Sequence, residues 1–170
     1  MEPAVDLELL TAAIESADEI GIKIEMVDGV PVWEAFPSYR HQAHVKRIDA
    51  SVRRTHGAGH DCGCVSAMDV AIRFADGSFK RPDVAIFCSE PEEQDSIITQ
   101  IPQAVIEVLS PGYEAKDLQF GLPFYLANGI KDVVIFNPRT NRVIHARNDA
   151  QQELVSPVTL ELECGCVVTV

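Results

Sequence analysis

Cations are scarce in this chain of 170 residues: 14 Lys and Arg stand against 26 Asp and Glu, for a formal net charge of −12. A protein so acidic is repelled at long range by a polyanion, which argues against a function based on unspecific attraction to phosphate backbones. No apolar run approaches the ~20 residues of a membrane helix, and the start, Met1-Glu-Pro-Ala-Val-Asp6, lacks the basic residues and apolar stretch of a signal peptide. The expectation is a soluble, cytoplasmic protein with no membrane partner. Coiled-coil heptads are missing, and so is any linker that would divide the chain. With 46% hydrophobic residues, what remains is one domain with a core of ordinary size.

The few cations are unevenly placed. Between Tyr39 and His60 five of them, Arg40, Lys46, Arg47, Arg53 and Arg54, meet a single acid, Asp49. This segment reads as a solvated helix face or as a local contact for nucleic acid.

Five cysteines is an odd number, and without an export signal a disulfide framework is not expected. Four of them form a pattern, because Asp61-Cys-Gly-Cys-Val65 and Glu163-Cys-Gly-Cys-Val167 repeat the same acid-Cys-Gly-Cys-Val string. Cys62, Cys64, Cys164 and Cys166 could together supply a four-thiolate zinc site, although zinc pairs more often have two residues between them. The plainer alternative is two Gly-centred bends with half-buried thiols, and Cys88 then packs in the core.

Val5 to Ile20 has the apolar spacing of an amphipathic helix, with Leu7, Leu10, Ile14 and Ala17 on one stripe. Ile22–Val27 and Pro31–Phe36 flank Asp28-Gly29, a strong hairpin signal. Pro37-Ser38 opens a second helix running to about Arg54, with Ala43, Val45, Ile48 and Val52 as its apolar positions. Val65–Phe74 alternates as a strand, Asp76-Gly77 turns the chain, and Arg81–Phe87 becomes a continuously apolar strand. The acidic stretch Ser89–Asp95 is a loop, and Gln103–Leu109 and Asp132–Phe136 read as further central strands. Between these two strands Tyr113–Asn128 is a helix interrupted by Gly121-Leu-Pro123. Arg142–Arg147 and Val158–Val170 complete a mixed α/β domain, its central sheet flanked by helices.

Two acids stand out because of where they fall. Asp83 begins one apolar strand and Glu107 sits inside the next. A carboxylate in such surroundings costs several kcal/mol unless it is paired or binds a metal, so a shared cation is an economical explanation. Mg²⁺ suits a pair of carboxylates and can activate water for attack on phosphate. The alternative leaves Asp83 capping the bend after Pro82 and Glu107 paired with an arginine.

Arg81-Pro-Asp-Val-Ala-Ile86, Val105-Ile-Glu-Val-Leu-Ser-Pro111, Asp117, Tyr125, Asn128-Gly-Ile130 and Val133-Val-Ile-Phe-Asn-Pro138 together resemble the Uma-two family of putative restriction endonucleases (domain of unknown function 820), within the PD-(D/E)XK nuclease superfamily. Ile24-Glu-Met-Val-Asp-Gly29 and Pro37-Ser-Tyr-Arg-His41 extend the resemblance upstream. It covers roughly residues 22 to 168, which leaves residues 1–21 as an N-terminal helix and 22–170 as a restriction-endonuclease-like domain.

The resemblance implies a DNA endonuclease that uses Mg or Mn, with Asp83 and Glu107 as metal ligands and Glu25 and His41 as accessory groups. Such folds often act as homodimers, which is the only reason to expect one here. The superfamily also uses a lysine, expected in this family four residues past Asp117, and that position is Gly121. Lys116 is the nearest substitute, with Gln119 and Lys80 as other donors. Without a lysine, the resemblance equally allows a lapsed nuclease that binds nucleic acid or protein. A zinc-stabilised interaction domain is the third reading.

Overall fold

The computed structural model describes residues 7–27, 30–55, 61–112 and 116–170. The expected helix start at Val5, the Asp28-Gly29 turn, Tyr113 and the side chain of Lys116 lie outside the described residues. In chain order the elements are α1 (Leu7–Glu19), β1 (Ile22–Val27), β2 (Val30–Ala35), α2 (Tyr39–Ser51), β3 (Arg53–Arg54), β4 (Val65–Met68), β5 (Ile72–Arg73), β6 (Phe79–Lys80), β7 (Val84–Phe87) and β8 (Ala104–Val108). A π-wound turn (Lys116–Gly121) leads into α3 (Leu122–Ala127), followed by β9 (Asp132–Asn137), β10 (Arg142–Ala146), β11 (Gln151–Val155), β12 (Thr159–Glu161) and β13 (Cys166–Thr169). The mixed α/β class expected from the sequence is what is found.

The main sheet has the order β11-β10-β9-β8-β7-β4, with β8 and β9 parallel and the other neighbours antiparallel. Its central strands are apolar throughout because both faces are covered. Val84, Ile86, Ala104, Ile106, Val134 and Phe136 face Val45 and Ile48 of α2, together with the C-terminal hairpin. Ala85, Phe87, Val105, Val133 and Ile135 face Tyr125 of α3. A second sheet, β2-β1-β6-β5, carries α1, whose Leu10 and Ile14 pack on Phe79 and Ile97. The third, β12-β13-β3, closes over α2.

Three elements differ from expectation, the first two because of a partner distant in sequence. The second helix stops at Ser51 instead of near Arg54: the Ser51 hydroxyl donates to Ile48 O and accepts from Thr169 N, and Arg53–Arg54 pair with Cys166 and Val167. Val65–Phe74 breaks at Asp69, which has φ +53°, because β4 joins the main sheet and β5 the second one. Val158–Val170 is a hairpin, turned at Gly165 with φ +86°. The interruption expected at Gly121-Leu-Pro123 falls where the π-wound turn gives way to α3, and Pro123 sits in the first turn of α3, where a missing N–H costs nothing. The polar edge strand β11 carries little apolar signal and is absent from the sequence reading.

The cysteines also depart from expectation. Disulfides join Cys62 to Cys88 and Cys64 to Cys166, so Cys88 is a member of the cluster and not a separate core thiol. The backbone brings them together, since Gly63 N–H donates to Cys88 O at 2.6 Å. A Cβ on Gly63 would lie 2.6 Å from that same oxygen, so only glycine allows the approach.

Asp132, at the start of β9, ties the main sheet to the C-terminal hairpin. Its fully buried carboxylate lies 2.7 Å from His145 Nε2 and accepts from Arg147 Nε at 2.6 Å and Glu163 N at 2.8 Å. Burial raises its pKa, but these three donors outweigh burial and hold it below the usual carboxylate range. Asp132→Asn should therefore cost about 2–4 kcal/mol at neutral pH, or roughly 4–16 °C in Tm. The charge's contribution is complete above the unfolded-state value of ~3.9 and is lost as the pH falls through the lower folded value. Urea midpoints of wild type and variant should differ at pH 7 and converge in acid; a gap that persists in acid would refute the charge-based account.

Candidate active site

The antiparallel register of β7 and β8 pairs Val84 with Ile106 and Ala85 with Val105, so one step further places Asp83 opposite Glu107. Glu107, like Val105, is on the face that looks towards α3, whereas Asp83 stands just ahead of β7, at the end of the sheet. Each carboxylate is buried and held by named donors. Glu107 Oε2 accepts from Asp83 N at 3.2 Å, and Glu107 Oε1 accepts from the Tyr125 hydroxyl at 2.6 Å. Asp83 Oδ2 accepts from Val108 N at 2.7 Å. Tyr125 is wholly buried, and burial together with Glu107 pushes its pKa well above the ordinary phenol range, so it remains a donor.

His41 reaches the pair from α2. Ser38 caps that helix by accepting from His41 N, and His41, Val45 and Ile48 form its buried stripe. The first place on the stripe thus holds an imidazole, whose Nε2 lies 2.8 Å from Val108 O and 3.2 Å from Asp83 Oδ2. Burial lowers the His41 pKa, but the hydrogen bond and charge of Asp83 raise it by more. The same pairing lowers Asp83 against its own burial.

Asp83 and His41 open onto a cleft of about 350 Å³, which is also lined by Lys23, Asp69, Arg81 and Asp18. Arg81 donates to Asp18 at 2.7 Å and Asp69 at 2.9 Å, and Lys23 Nζ lies 3.3 Å from the other oxygen of Asp69. Burial opposes the charge on Lys23. The carboxylates of Asp83, Glu25, Glu107 and Asp69 outweigh it and hold the lysine's pKa above its usual value. Lys23 is the site cation the sequence reading missed, although its β1 alternation with Glu25 was visible.

The other candidates are dispersed around this centre. Glu25 is buried one layer back, accepting from Lys80 Nζ at 3.1 Å and Arg81 N at 2.9 Å. Lys80 is thereby committed to Glu25, and its ammonium lies 5.5 Å from the centre of the Phe124 ring. Asp117 is buried on the π-wound turn, near enough to Tyr125 to affect its charge. Gln119 is exposed and does not line the cleft, so it is not brought to the pair. Gly121 is buried at the junction with α3.

Two carboxylates and the carbonyl of Val108 converge at one end of β7 and β8, giving a set of hard oxygen donors. This chemistry fits Mg²⁺ or Mn²⁺, which prefer oxygen ligands and use one or two carboxylates. The cleft beside them is open enough for a phosphate, and Lys23 lines it within the field of both carboxylates.

The profile of the Uma2 family, described as "Putative restriction endonuclease", matches residues 7–164, a stretch that takes in α1. A crystal structure titled as a putative nuclease belonging to DUF820, from Anabaena variabilis ATCC 29413, superposes with a TM-score of 0.60. It is 18% identical, and the match covers 81% of this chain and 80% of that one. At that identity the likeness speaks for the fold alone. No curated protein matches.

Proposed function

This chain belongs to the family described as "Putative restriction endonuclease", and from that premise we propose that it hydrolyses DNA phosphodiesters with a divalent metal at the Asp83–Glu107 pair. The observation that carries this reading is the meeting of two buried carboxylates and the Val108 carbonyl beside a cleft with a fixed cation. Asp83 and Glu107 would hold Mg²⁺ or Mn²⁺, which when bound supplies an activated water and compensates charge at the phosphate.

The chain's own groups do the positioning. Tyr125 and Asp83 N fix the two oxygens of Glu107, and His41 links Asp83 to the Val108 carbonyl. The surrounding carboxylates keep Lys23 protonated in the metal-free site, and it would act as a cation that binds the scissile phosphate and stabilises the charge developing there. It would thereby replace the lysine missing at Gly121.

DNA would reach the cleft along the exposed face of α2. Arg40, Lys46 and Arg47 stand there in water, and two exposed aromatics offer stacking surfaces, Phe36 lining the cleft and Tyr39 beside Lys46 and Arg47 on α2. Local cations next to aromatics are what a protein of this net charge needs in order to hold a polyanion.

The test is a cleavage assay on supercoiled and single-stranded DNA with Mg²⁺, Mn²⁺ or a chelator. Metal-dependent nicking is the expected result. Binding without turnover under every metal and substrate, RNA included, would overturn the proposal and favour a lapsed nuclease.

A further inference from the structure

The second feature with metal-binding chemistry lies away from the cleft, where all five cysteines gather. Cys62 and Cys64 precede β4, Cys88 ends β7, and Cys164 and Cys166 flank the turn into β13. Cys62 and Cys166 are buried in the main core, their sulfurs 3.5 Å apart. The Cys164 sulfur joins them in a group whose members all lie within 4.8 Å of one another. Cys164 takes part in neither disulfide.

A free thiol this close to two disulfides can exchange with either, so disulfide pairing does not give the cluster one settled state. Tetrahedral zinc does, because it holds four thiolates at once with Zn–S of about 2.3 Å and sulfurs about 3.8 Å apart. The Cys62–Cys166 spacing is already close to that. The Cys164 thiol is pushed up by burial, while backbone N–H groups of Cys166 and Cys164 itself partly offset this by favouring the thiolate. We propose that, with its disulfides reduced, the chain binds one zinc ion through Cys62, Cys64, Cys164 and Cys166.

The repeated Cys-Gly-Cys strings thus acquire one purpose. Each presents two sulfurs from a tight bend, and the ion fastens the segment before β4 to β13. Both lie under Val45 and Ile48 of α2, the helix that carries His41. The inference is independent of the nuclease reading.

The experiment uses the full chain, produced with zinc in the medium and purified with a phosphine reductant. Each disulfide takes two electrons and two protons to give two thiols, and the phosphine leaves as its oxide with oxygen from water. Zinc then displaces one proton from each of the four ligand thiols, while Cys88 keeps its own. Elemental analysis should find one zinc per chain, with X-ray absorption showing four sulfurs at about 2.3 Å.

Cys164→Ser decides between zinc and a purely disulfide role. Under oxidising conditions the variant retains both crosslinks and should unfold like wild type. In the reduced state it should bind zinc at least ~100-fold more weakly in competition with a chelator. Cys88→Ser should bind zinc like wild type. Reduced wild type without stoichiometric zinc, or a Cys164→Ser variant that binds as tightly as wild type, would overturn the proposal. So would loss of zinc in Cys88→Ser with retention in Cys64→Ser.

Discussion

Asp83→Asn should reduce metal-dependent DNA cleavage by about 10³-fold or more, since it removes one of two charged ligands for the metal. Asparagine is the informative substitution. Val108 N donates to Asp83 Oδ2 at 2.7 Å, and alanine would leave this buried N–H without a partner, at a cost of about 1–3 kcal/mol in stability. The amide oxygen of asparagine can still accept that bond and fill the same space, so the variant should remain folded while its charge is gone. Thermal unfolding of both proteins provides the control. Mn²⁺ binding should weaken in parallel with cleavage, since the same carboxylate serves both. Cleavage within about tenfold of wild type, from a folded Asp83→Asn protein, would remove Asp83 from the metal site and with it the proposed mechanism.

The carboxylate pair could be noticed in the sequence because it violates its surroundings. β7, β8 and β9 read as continuous apolar runs, and a charge in such a run needs a reason to be there. What the sequence could not display was which groups supply that reason. Tyr125 and His41 come to Glu107 and Asp83 from helices on opposite faces of the sheet, and neither spacing nor periodicity encodes such a meeting. Val52 to Arg54 continue the local pattern of a helix, yet Arg53 and Arg54 are paired with β13, more than a hundred positions on. The same holds for Val65–Phe74, whose alternation is real but is shared between two sheets. Cysteine spacing showed the repeated string but not the arrival of Cys88, which depends on Gly63 lying against the end of β7. Local pattern therefore located the unusual residues, and long-range pairing determined what they do.

Lys23 is the clearest case of this division, and its substitution has the second large expected effect. A lysine on a hairpin strand reads as solvated, yet its side chain is only 14% exposed and faces the cleft. Lys23→Met keeps much of the apolar stem and removes the charge. If the ammonium stabilises the phosphate in the transition state, kcat should fall about 10²–10³-fold, as for loss of one preorganised donor. DNA affinity should change little, because in the proposed mode of binding most phosphate contacts would fall to Arg40, Lys46 and Arg47 of α2. Lys23→Arg should recover part of kcat, since charge and reach are kept while the geometry of the head group changes. A merely structural role predicts another pattern. Lys23 offsets Asp83, Glu25, Glu107 and Asp69, so its loss would lower Tm in metal-free protein, but saturating Mn²⁺ would restore both stability and turnover. Measuring kcat and Tm at saturating Mn²⁺ therefore separates the two roles. Lys116→Met serves as the comparison and should stay within about threefold of wild type, because Lys23 already provides the cation. If Lys116→Met instead loses turnover and Lys23→Met does not, the lysine next to Asp117 is the working one and the hairpin cation serves only to balance charge.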